Sequence, residues 1–250
     1  MDLGLQGKRV LVSGASRGIG RAIVQLFLAE GAHVAFCARG EKGVRNAQIE
    51  FGEHASGTAV DVTQPELVRA WVDNAATRLG GLDIVIPNVS ALAGGDDLQT
   101  WRRAFDTDLL GSATMIKAAL PALRESQAAS VVLISSVSGR EVDMFAEPYG
   151  ILKAALLHYG KTLSVRHASE GIRVNSVSPG NVYFPHGVWG DIEREQPETF
   201  AKCLAENPMG RMATPEEVAK AVVFLASPAA SFTTGTNLLV DGGLTRSVQF

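Results

Sequence analysis

The chain has little of what marks specialised protein classes. Two of its 250 residues are cysteine, Cys37 and Cys203, without paired spacing; no disulfide framework or thiolate metal site is expected, and inert thiols in a reduced compartment are the simplest reading. No apolar run approaches the roughly 20 residues that a membrane helix needs. The first strand is expected from about Lys8, too near the start for a signal peptide, so a cytoplasmic protein is expected. Neither sign of charge dominates: 23 Lys and Arg against 26 Asp and Glu give a net charge of −3, with no basic footprint for nucleic acid. The five histidines (33, 54, 158, 167 and 186) are dispersed without ligand spacing, and no metal is expected. Repeats, linkers and low-complexity tracts are absent.

What the chain does have is apolar residues, 46% of the total, enough to bury a large core in one domain spanning 1–250. Short β-rich runs alternate with helical stretches, the pattern of an α/β doubly wound parallel sheet with helices on both faces. Seven strands are expected near 8–13, 33–38, 57–61, 82–87, 130–135, 172–177 and 237–240. A helix near 215–227 has Thr214 as N-cap, Pro215 at its first position and Glu217 three after the cap. The longest irregular interval is expected over about 181–210. It opens with Tyr183, Phe184, Pro185, His186 and Trp189 and reads as a substrate lid at the carboxyl edge of the sheet.

The first strand runs into Ser13-Gly14-Ala15-Ser16-Arg17-Gly18-Ile19-Gly20, and a helical pattern follows. Glycines at this spacing let the chain turn out of a strand, approach a pyrophosphate with its backbone and open a helix whose amides face the anion. A dinucleotide site is the better reading than an ordinary turn because a strand precedes the glycines and a helix and second strand follow.

Tyr149 and Lys153 stand four residues apart, which puts them on the same helix face. A nearby ammonium favours the phenolate and makes the tyrosine a usable general acid or base. Ser136, just past the apolar run 131–134, is placed to donate a hydrogen bond to a carbonyl oxygen in the same cleft.

Together these motifs resemble the short-chain dehydrogenase/reductase family, and the resemblance runs nearly end to end. It rests on the glycine loop at 13–20, Asp61-Val62, Leu82-Asp83-Ile84 through Asn88, Ser135 to Gly139, Tyr149 with Lys153, Gly171 to Gly180, and Asp241-Gly242-Gly243. It implies a Rossmann fold and hydride transfer between a nicotinamide and a carbonyl or secondary alcohol, with 3-oxoacyl thioester reductases among the similar enzymes. Ser136 would polarise the oxygen, Tyr149 would carry the proton, and Lys153 would support Tyr149 and bind the ribose. Gly14, Ser16, Arg17, Gly18, Ile19 and Gly20 would hold the phosphates; Asp61 and Val62 would hold the adenine. Asn88, Ser90, Pro179, Gly180 and Val182 would border the ribose and nicotinamide, and a homotetramer is the implied assembly. The sequence departs from the family pattern twice. Pro87-Asn88-Val89-Ser90 stands where Asn-Asn-Ala-Gly is usual, and Asp108 stands at a fourth catalytic position that is usually Asn. These departures keep open a non-catalytic NADP(H)-binding sensor or scaffold.

Cofactor choice is argued from charge. An NAD site needs an acid at the end of the second strand, whereas a 2′-phosphate calls for a cation. Here that end reads Phe36-Cys37-Ala38-Arg39, without an acid and with a guanidinium suited to phosphate. Arg17 is a second cation facing the same phosphate, so NADP(H) is expected.

Overall fold

The computed structural model describes residues 2–92, 94–142 and 147–248. Seven parallel strands form one sheet in the order β3-β2-β1-β4-β5-β6-β7. They are β1 (Arg9–Ser13), β2 (His33–Ala38), β3 (Ala55–Ala59), β4 (Ile84–Ile86), β5 (Ser130–Ile134), β6 (Arg173–Pro179) and β7 (Asn237–Val240). The order reverses between β1 and β4, which opens the crevice where doubly wound sheets bind ligands.

The inner strands β1, β2, β4, β5 and β6 are buried on both faces, so alternate residues feed two separate cores. Val10 and Val12 join one with Phe27, Phe36 and Val222, beneath α1 (Gly18–Ala29), α2 (Glu41–Phe51) and α9 (Pro215–Ala226). Leu11 joins the other with Trp71, Met115, Ile116 and Leu163, under α3 (Pro65–Leu79), α5 (Gly111–Arg124) and α6 (Glu147–His167). Each fully buried Phe or Ile contributes about 1.5–3 kcal/mol over exposure. The expected capping box forms at α9: Thr214 and Glu217 each accept from the other's backbone amide.

Two expectations need correction. Residues 181–210 are not mainly irregular, because α7 (Val188–Glu195) and α8 (Pro197–Ala205) occupy most of the interval. The third strand lies at 55–59 rather than 57–61, and Gly57 in its middle makes room for the Phe36 ring, which lies 2.6 Å from where a Cβ would be. A third feature was not foreseen. Helix α4 (Leu98–Ala104) runs into α5 through a widened π turn, Phe105–Leu110, in which the Gly111 amide reaches back five residues to Asp106 O. Such turns redirect side chains locally, and Asp108 lies within this one.

Candidate active site

At the crevice, Gly14 leaves β1 with φ +71° and donates its amide to Cys37 O at 2.8 Å. A Cβ on Gly20 would collide with Gly14 O and Asn88 Nδ2, so α1 approaches the loop this closely only with glycine there. Asn88 pins the loop from the other side: its Nδ2 donates to Ser13 O (3.0 Å) and Gly14 O (3.1 Å). Asn88 is thus turned into the phosphate loop. Helix α1 has no side-chain cap and no acid in its first turn, which leaves its leading amides open to an anion. Burial pushes the Cys37 thiol up to about 12, only partly offset by the Gly14 amide, so this cysteine beside the loop is inert.

Arg39, at the end of β2, is exposed and makes no ion pair among the described residues; its neighbour Glu41 pairs with Arg45 at 3.3 Å. Ser16 sits against the start of α2, 3.2 Å from where a Cβ on Gly43 would be. Asp61 Oδ1 accepts from the Thr63 amide (3.0 Å) and hydroxyl (2.8 Å), fixing the turn after β3, and buried Val62 packs on Gly111. Pro179 ends β6, and Gly180 lies so near Asp241 that a Cβ would stand 2.9 Å from Asp241 Cα. Val182 bridges to Ala213.

The segment after β6 that was expected to form a lid reaches the glycine loop directly. The Phe184 ring lies over Gly18, 2.7 Å from where a Cβ would be, and Arg17 Nη1 donates to His186 O at 3.2 Å. It is the His186 carbonyl, not its ring, that makes this link. Tyr183 donates to Glu193 Oε2 at 2.5 Å, tying the loop to α7. Neither Phe184 over Gly18 nor His186 on Arg17 was foreseen, although Gly18 itself was the signal that something approaches there.

On the other side of the crevice, Ser136 follows β5 and caps a short turn: it accepts from the Ser138 amide at 3.1 Å and donates to Ser138 Oγ at 3.1 Å. This turn lies on the backbone of α6. A Cβ on Gly139 would be 2.7 Å from Lys153 C, and one on Gly150 would be 2.7 Å from Ser138 O. Two glycines therefore set the spacing between Ser136 and the Tyr149-Lys153 helix. Lys153 Nζ stands 5.5 Å from the centroid of the Tyr149 ring and donates to Ile134 O at 3.1 Å. Ser135, which sequence reasoning passed over, donates to Lys153 O at 2.8 Å and holds that turn of α6 to the strand end.

The family-model comparison matches residues 14–245 to a description reading enoyl-(acyl carrier protein) reductase. Isoepoxydon dehydrogenase of Penicillium expansum is 39% identical over 262 residues, covering 100% of this chain and 99% of that protein. The chain is a short-chain dehydrogenase/reductase. Mouse L-fucose dehydrogenase is 39% identical over 248 residues, with 95% of this chain and 88% of that protein covered. The ligand-free aldohexose dehydrogenase of Thermoplasma acidophilum has a TM-score of 0.86 at 33% identity, with 98% of each chain covered. As a member of this oxidoreductase family, the chain interconverts a carbonyl and an alcohol with a nicotinamide cofactor. Among the described residues there is no cluster of acids, histidines or cysteines able to hold a metal, and no helix is long and apolar enough to cross a membrane.

Both departures from the family pattern fall in one place. Asp108 and Lys153 form a buried ion pair at 3.2 Å, each side chain 2% exposed. Ser90 donates to Asp108 Oδ1 at 2.5 Å and Ala91 N to Oδ2 at 2.8 Å, while the Asp108 carbonyl accepts from Ser112 Oγ at 2.6 Å. Ser90, expected beside the nicotinamide ribose, has its hydroxyl turned toward the acid.

Proposed function

We propose that this reductase uses NADP(H) and reduces a small-molecule ketone, with Ser136, Tyr149 and Lys153 as the groups that handle the oxygen and its proton. The carrying observation is that the Ser136 turn at the end of β5 is seated on the backbone of α6, the helix that carries Tyr149 and Lys153. The residues fit a dinucleotide: the uncapped α1 amides and the Gly14–Gly20 loop suit the pyrophosphate, and unpaired Arg39, with Arg17 across the loop, suits a 2′-phosphate. Bound there, the nicotinamide supplies or accepts the hydride. Ser136 holds the substrate oxygen by its hydroxyl, and Tyr149 gives that oxygen its proton. Lys153 supports the phenolate left behind and keeps one N–H for the nicotinamide ribose, the others going to Ile134 O and Asp108.

For the substrate, a 3-oxoacyl thioester and a compact hydroxylated ketone share this machinery. The substances named for three similar dehydrogenases, isoepoxydon and the aldoses fucose and aldohexose, favour a compact hydroxylated substrate over a thioester, a ketone in the first case and a sugar in the other two. The working form in this reading is a single-domain, cytoplasmic homotetramer. Apolar residues left exposed at Val165 of α6, Phe232 and Leu238 of edge strand β7 support self-association. A second reading, an NADP(H) sensor without turnover, draws on the direct Asp108–Lys153 pair.

One experiment addresses all of this. Cofactor oxidation is followed across acetoacetyl thioesters, diketones, quinones and cyclic hydroxy ketones with NADPH or NADH. NADPH is expected to give the higher kcat/KM, and Arg39→Asp to reverse the preference. Equal use of both cofactors by the unmodified protein removes the NADP argument; tight NADPH binding with no oxidation across the panel favours the sensor.

A further inference from the structure

Ser90 and Asp108 are eighteen residues apart, yet the crevice brings them together in one bond network. Asp108 Oδ1 receives the Ser90 hydroxyl and the Lys153 ammonium, and Oδ2 receives the Ala91 amide. Ser90 Oγ also accepts from the Leu92 amide at 3.1 Å, where the chain takes a left-handed φ of 45°. The ammonium and the amide can only donate, and the Ser90 proton is committed to the acid. Three donors therefore converge on two oxygens. An asparagine at 108 would turn its NH2 hydrogens toward either Lys153 or the Ala91 N–H, a donor against a donor. The loop after β4 is thus built for a carboxylate.

We propose that Ser90 and Asp108 work as one unit, a buried hydrogen-bonded carboxylate that holds Lys153 and sets how strongly its ammonium favours the Tyr149 phenolate. Ser90 is a positioning residue, acting through Asp108. The inference rests on the assignment of Tyr149 as proton carrier. Among the described residues, Asp108 is the one acidic side chain at ion-pair distance from Lys153. The other groups bonded to the pair among the described residues are neutral: the Ile134 carbonyl on Lys153, and the Ser90 hydroxyl and Ala91 amide on Asp108. Glu147, on α6 itself, is exposed.

The sign follows from Coulomb's law. A carboxylate beside the ammonium offsets its field at the phenol, so removing the negative charge lets phenolate form at lower pH. Removing the Ser90 hydroxyl leaves more of the carboxylate's charge facing Lys153, so phenolate forms at higher pH. With Asn at 108, Ser90 has no such lever.

The test is a phenolate titration by ultraviolet difference absorbance, each protein measured against its own Tyr149→Phe derivative, with the pH dependence of turnover recorded in parallel. Asp108→Asn is expected to move phenolate formation down by roughly half a pH unit or more, and Ser90→Ala to move it up by a few tenths. Ser90→Ala added to Asp108→Asn is expected to move it no further, and Ser90→Thr, which keeps the hydroxyl, to titrate like the unmodified protein. Equal Ser90→Ala shifts in both backgrounds overturn the coupling. So does an unmoved titration with a raised KM for NADP(H), which would make Ser90 a direct cofactor contact. If Asp108→Asn does not fold, the Ser90→Ala and Ser90→Thr pair decides: indistinguishable titrations overturn the proposal. Shifts as expected without turnover on any substrate leave the proposal standing and remove the catalytic reading of Tyr149.

Discussion

Two aspartates, each paired with a cation, close opposite ends of the same sheet. At the amino end, Arg9 and Asp83 bridge β1 and β4: Nε and Nη2 fork onto the two carboxylate oxygens at 2.9 and 2.7 Å. The Arg9 amide (2.9 Å) and the Ser126 hydroxyl (2.6 Å) complete the carboxylate's bonds. At the carboxyl end, Asp108 and Lys153 are both buried and meet through one oxygen. The guanidinium is locked by a planar fork onto both carboxylate oxygens with a third bond to Gly80 O, whereas the ammonium meets Asp108 through a single oxygen and Ile134 O beside it. A forked pair at the strand starts fixes two strands; a single-point pair beside the Tyr149 ring leaves its ammonium able to serve chemistry. The difference between Arg and Lys is thus functional at these two places.

The sharpest way to break the comparison is to remove one cation. Lys153→Met leaves Asp108 buried without a countercharge, and an unfolding free energy lower by about 3–5 kcal/mol is expected from urea titration. A loss below about 1 kcal/mol would mean that Asp108 is no more dependent on its partner than an exposed acid.

The amino-end pair is tested by acid. Burial alone would push the Asp83 carboxyl up, but the Arg9 fork, the Ser126 hydroxyl and the Arg9 amide outweigh it and hold the group at about 2. Because this lies below the unfolded value of about 3.9, the stabilisation is complete above roughly pH 4 and is lost as pH falls through 2. The Arg9 side chain is 27% exposed and so partly screened, which leaves about 1–2 kcal/mol at stake. Thermal melts of the unmodified protein and Asp83→Asn should converge as pH drops from 4 to 2; a constant gap would contradict the assignment.

Most of the sheet was legible because β1, β2 and β5 carry dense apolar runs between glycine and polar breaks, as strands buried on both faces do. The phosphate loop was legible because its glycines answer to backbone collisions: at Gly20 the obstacle is Gly14 and Asn88. The Tyr149–Lys153 pair was legible because both residues share one helix. The loop after β4 was not. Ser90 and Asp108 each looked like an isolated departure, and nothing local says that one donates to the other; the π turn at 105–110 is what brings them together. Helices α7 and α8 were missed because eight and nine residues give too few turns for a period to stand out among prolines and glycines. Phe184 over Gly18 depends on where a long loop folds back, which spacing does not encode.

In the proposed mechanism Tyr149 carries the proton while the rest of the site holds the cofactor, and a single substitution separates the two. Tyr149→Phe removes one oxygen and keeps the ring that Lys153 faces at 5.5 Å. Stopped-flow NADPH oxidation with the best ketone of the panel should fall at least about 10³-fold, toward the limit of what a positioned general acid contributes, with the NADPH dissociation constant unchanged within about twofold. Turnover within tenfold of the unmodified protein would contradict the assignment of Tyr149.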